Sequence, residues 1–109
     1  MTNRKSGVDV NFEKLPGETL VGRRNGQIAK EYLKLDELFE AQPEISVNIP
    51  NKFKAITSSF FLGMFESYII SSQCKKDIFY KKFKFYAPPR LLDQIDTGLD
   101  DAIEANDGL

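Results

Sequence analysis

The sequence holds no histidine and a single cysteine, Cys74, in 109 residues. That inventory removes the usual zinc sites, the Ser-His-Asp and Cys-His nucleophile arrangements and the histidine general base. Hydroxyls, amines and carboxylates remain. Thr57, Ser58 and Ser59 stand together just ahead of Phe60, Phe61 and Leu62. At such a place a side-chain oxygen accepts from a free backbone N–H of a starting helix, and with no Glu or Gln three residues on, no capping box forms. Lys75, Lys76, Lys81 and Lys82 lie among Phe79, Tyr80, Phe83, Phe85 and Tyr86, types that on a nucleic-acid surface meet phosphate and stack on bases. A net charge of −1 and the lack of a binding motif instead favour a solvated loop leading into a core strand. Gly17, Gly22 and Gly26, with Arg23 and Arg24, match neither the dinucleotide fingerprint nor the P-loop and read as a turn. Asp93, Asp96, Asp100, Asp101 and Glu104 recur at helical spacing as a wet face, so no metal and no cofactor are expected. Cys74, with only Lys75 and Lys76 charged beside it, reads as an incidental thiol. No acid and base converge, so no catalytic residue is assigned and the chain is not expected to be an enzyme.

The elements that position these groups follow from hydrophobic period. Residues 1–7 are polar and unpatterned, a flexible tail, and 8–109 form one domain. Val8, Val10 and Phe12 alternate with polar neighbours and predict a strand ended by Pro16-Gly17, with a second short strand over residues 18–22. Ile28, Tyr32, Leu35 and Phe39 predict one amphipathic helix over residues 27–41, started by Asn25 or Gly26 and closed by Pro43. Ile45, Val47 and Ile49 alternate as a strand. Residues 55–72 predict a helix apolar nearly all round, as for one buried on two sides or meeting a partner. Residues 83–86 alternate as a strand, and Leu91, Leu92, Ile95, Leu99, Ala102 and Ile103 mark a terminal amphipathic helix. Helices packed on a mixed sheet of about four strands are expected. The uncharged run from Ala55 to Phe65 is far short of the roughly 20 residues that span a bilayer. Without a signal-peptide pattern, and with one cysteine, a soluble cytoplasmic protein is expected.

Gly22-Arg23 ahead of the first helix, Ser58-Ser59-Phe60 opening the second, and Gly63 and Phe65 beyond it carry a family likeness. With the order of elements over residues 15–103, the chain resembles the STAS-like family, relatives of the sulfate transporter and anti-sigma-factor antagonist domains. The resemblance implies a STAS-like α/β fold, with three helices packed on the sheet. It also implies a small bacterial or phage regulatory module that docks on a protein, such as a histidine-kinase-like ATPase, under control of a phosphorylated serine. On that reading the serine is Ser58. A helix N-terminus, with its free N–H groups and partial positive charge, can hold a phosphate there. Its roughly −1.5 to −2 charges would weaken an apolar contact.

The expected contact residues are therefore Ser58, Ser59, Phe60, Gly63 and Met64, with Arg23 and Arg24 at the nearby loop. Exposure of Phe60 or Met64 would support this reading, and burial of both would count against it. A homodimer through the apolar second helix is a further expectation. The rival reading is a phage or mobile-element inhibitor that grips a larger machine through charged faces. Neither involves a membrane, and nucleic acid is not the expected partner.

Overall fold

The computed structural model describes residues 8–107, so the expected flexible tail, 1–7, lies outside the described residues. Strand β1, Val8–Asn11, ends where the Asn11 side chain accepts from the Glu13 N–H at 2.8 Å and starts a 3-10 turn, Phe12–Lys14. Phe12 and Leu15 are therefore buried from a turn and not from a longer strand. The second strand, β2, is only Thr19–Leu20.

The predicted helix over residues 27–41 is two. Helix α1, Arg23–Tyr32, begins straight after Gly22, and α2, Leu35–Ala41, follows Lys34, whose φ of 58° reverses the chain. The spacing of Ile28, Tyr32, Leu35 and Phe39 is not one buried stripe. Gly26 and Ala29 face inward from α1 and Leu35 from α2, while Ile28 and Tyr32 are exposed.

Strand β3, Ile45–Asn48, and the short β4, Ala55–Ile56, lead to α3, Ser58–Ser71. Helix α3 lies between α1 and α5 (Pro89–Asp107), its most extensive helix contacts, which explains apolar residues nearly all round. The lysine-rich connection is a further helix, α4, Lys76–Lys82, which buries Phe79 completely and runs into β5, Phe83–Tyr86. Pro89 occupies the first helical position of α5, where a missing N–H removes nothing.

All pairings are parallel among the described residues: a three-stranded sheet in the order β1-β3-β5 and a two-stranded one of β2 and β4. Among the described residues the expected mixed sheet of about four strands is thus corrected to five strands in two small parallel sheets, and three helices become five. The reason is local: each return to a sheet runs through helix, and a crossover of that kind brings the chain back in the same direction.

Val10, Ile45, Val47 and Phe83 point into the core, where Phe61, Phe65, Tyr68, Phe79, Phe83 and Phe85 form a continuous ring cluster. The alternate residues make two rows across the sheet's other face, Asp9-Ser46-Lys84 and Asn11-Asn48-Tyr86. Among the described residues no helix is long and apolar enough to cross a membrane.

Candidate functional site

Helices α1 and α3 meet through glycines. A Cβ on Gly26 would lie 2.2 Å from the Phe60 carbonyl oxygen, and one on Gly63 would lie 2.1 Å from that of Arg23. Each helix thus accepts the other's backbone at a position with no side chain. Gly22 meets Thr57, Gly26 meets Phe60, and Lys30 reaches the Ser67 hydroxyl at 3.1 Å. The contacts advance together, so the helices run parallel and their N-termini lie side by side.

Thr57 joins the two ends. Its hydroxyl oxygen accepts from the Phe60 N–H at 3.2 Å, capping α3, and from the Gly22 N–H at 3.3 Å. It donates to the Leu20 carbonyl at 3.4 Å, and the Ser59 hydroxyl lies 3.1 Å away. The capping role open to three residues is filled by Thr57, and the Ser58 hydroxyl makes no hydrogen bond among the described residues. Ser58 is half-buried and opens on a cleft of about 310 Å³ shared with Asp93, Gln94 and Thr97 of α5. Gln94 holds that wall in place by accepting from the Ile56 N–H at 2.8 Å.

The predicted contact residues separate into three groups. Ser58, Ser59 and Arg23 share the accessible end of α1 and α3, with Arg23 bound to Glu66 at 2.9 Å across the helix pair. Phe60 and Met64 are 3% and 0% exposed, and Gly63 is closed over by Arg23. Their burial counts against direct contact with a partner: a helix between two others has no free apolar side at these positions. The same burial argues against a homodimer through α3. Arg24 is exposed on the side of α1 opposite Gly26 and Ala29, apart from the serines. Asp93, read from the sequence only as part of a wet acidic face, meets the site from a distant part of the chain, and Glu66, two turns along α3 from Ser58, was not singled out.

The lysine and aromatic cluster also divides. Phe79 and Phe83 are fully buried, so they cannot stack on bases. Lys76 binds Asp96 at 3.1 Å and Asp100 at 2.9 Å, and Lys82 donates to the Gln42 carbonyl while lying over the Phe39 ring. Burial and the hydrogen bond to Asp96 raise the pKa of the Tyr80 phenol, as burial and Asp36 do for Tyr68. Both phenols remain protonated donors at neutral pH. Among the described residues no group of His, Cys, Asp and Glu is placed to hold a metal ion.

Comparison with known proteins finds no matching family model, no matching curated protein and no matching solved structure.

Proposed function

We propose that the chain is a non-enzymatic regulatory module of the STAS-like kind, acting in the cytoplasm, that docks on another protein through the paired N-termini of α1 and α3. The observation that carries this reading is the division of labour at Thr57. One hydroxyl caps α3 and ties it to Gly22, leaving Ser58 at the mouth of a cleft with a hydroxyl that has no hydrogen bond among the described residues. Ser58, Ser59 and Arg23 form the contact end. Phe60, Gly63 and Met64 act from beneath by fixing how closely the helices seat. A phosphate on Ser58 would meet the positive ends of two parallel helices and the Asp93 carboxylate in the same cleft. The modification would thus alter both the charge and the shape of the docking end.

The partner chemistry that suits this module is a histidine-kinase-like ATPase. The test is affinity capture from host lysate with wild type, Ser58→Ala and Ser58→Asp as baits, with phosphate mapped on the recovered bait. Retention of such an ATPase by wild type and Ser58→Ala, its loss with Ser58→Asp, and phosphate on Ser58 support the switch. Equal retention by all three baits, with no phosphate, removes it. The charged-face inhibitor predicts the opposite profile: binding indifferent to Ser58→Asp that collapses as salt rises.

A further inference from the structure

Helix α1 turns its smallest residues inward and its larger apolar ones out. Gly26 and Ala29 pack on α3, whereas Ile28 and Tyr32, and Val21 just before the helix, are 52%, 59% and 48% exposed. Ile28 and Tyr32 lie one turn apart on the same flank, and Val21 lines the same groove as Ile28. Beside them lie Arg24 and Glu31, exposed and without an ion pair among the described residues. They are seven apart, which puts both on the same side of the apolar stripe. On its other side a groove of about 200 Å³ runs between Ile28 and Leu15, with Leu20 and Phe60 at its floor.

We propose that this flank of α1 is a self-association surface whose occupant is a second copy of the same chain, α1 against α1 in antiparallel fashion. The charge pattern selects this arrangement. A two-fold axis between Gln27 and Ile28 has Arg24 before it and Glu31 equally far after it. Arg24 of each copy then faces Glu31 of the other, and the pair forms twice. A parallel, in-register pairing would instead set Arg24 on Arg24 and Glu31 on Glu31. The same axis brings Ile28 against Ile28 and sets Tyr32 of one copy near Arg24 of the other, where ring and guanidinium surfaces suit one another. The contact uses the flank of α1 turned away from Gly26 and Ala29, and its test does not depend on the docking reading.

The test is light scattering during size-exclusion chromatography over a protein concentration series at low and high salt. Wild type is expected to dimerise, less so at high salt. Arg24→Glu and Glu31→Arg each set like charges together and should weaken the dimer by about tenfold or more. The double exchange, Arg24→Glu with Glu31→Arg, should restore it, and Ile28→Asp should abolish it. Circular dichroism melts verify that each variant folds. A wild type that stays monomeric, including one whose stripe binds a different protein, overturns the proposal. So does a dimer indifferent to the single exchanges, or one the double exchange fails to restore.

Discussion

Thr57 shows how much one oxygen can hold. Its hydroxyl serves the Phe60 N–H, the Gly22 N–H and the Leu20 carbonyl, so it belongs to α3, to the start of α1 and to β2 at once. Thr57→Ala should destabilise the protein by about 1–2 kcal/mol, the upper part of the range for a lost cap. Ser58→Ala, whose hydroxyl has no partner among the described residues, should stay within about 0.5 kcal/mol, and urea denaturation of both variants measures the contrast. Asp96 supplies a residue-scale prediction with a pH sign. Burial works to raise its pKa, but the hydrogen bonds from Tyr80 and Lys76 outweigh that and hold the carboxyl below its usual value. Its stabilising contribution is therefore complete above the unfolded value of about 4 and is lost as pH falls through the folded one. Lys76 is raised, first by its hydrogen bonds to Asp100 and Asp96, so its share persists below about 10.5 and disappears as pH climbs through the folded value. Asp96→Asn should lower the melting temperature at neutral pH, with the gap to wild type closing as the solution is acidified.

At the scale of elements, the α1 and α3 pair depends on reciprocal absence of side chains. Gly63→Ala and Gly26→Ala each drive a methyl group into backbone that cannot rotate away, and each should destabilise by about 1–3 kcal/mol or more. Thermal melts measure this, and an unchanged midpoint in either would show that the helices separate freely. The glycines also show where sequence reasoning was sufficient and where it stopped. Strand β5 and helices α3 and α5 were legible because period and breakers agree there: Phe83 to Tyr86 alternates before two prolines, and Leu91, Ile95, Leu99 and Ala102 repeat on one face. The split between α1 and α2 was not, because Lys34 takes a left-handed turn with no glycine to announce it. Helix α4 was hidden by its lysines and its seven-residue length. Phe60 and Met64 were assigned to a docking face because an all-apolar helix has two physical explanations, and only the positions of α1 and α5 select burial on both sides. Of the candidate site, what was legible is that Thr57, Ser58 and Ser59 stand at the start of a helix. Its cleft wall, Asp93 and Gln94, comes from 35 residues or more beyond it and left no mark on the local pattern.

The whole molecule is a helical layer on one side of a three-stranded parallel sheet, with the ring cluster between them. Sheets of this kind are ordinarily covered on both faces. Here the second face carries the polar rows from Asp9 to Lys84 and from Asn11 to Tyr86. Stability must therefore come from the single core between sheet and helices. Phe65 touches Phe61, Tyr68, Phe79, Phe83 and Phe85 within that core, and Phe65→Ala should cost about 3–5 kcal/mol. That is a large share of the roughly 5–15 kcal/mol a domain has in all, so equilibrium denaturation should show the variant close to unfolding at 37 °C. The placement of Ser58 beside Phe60 and Phe61 ties chemistry at the surface to this core. Drawing Ser58 into an extended segment, as an enzyme acting on its hydroxyl would require, lifts two buried rings out of their packing. The amides of Phe60 and Phe61, bonded to Thr57, should exchange with deuterium only through rare, large openings. On the switch reading, a mark at Ser58 would then accumulate faster on weakened copies of the protein than on sound ones, and its abundance would record the age and integrity of the fold.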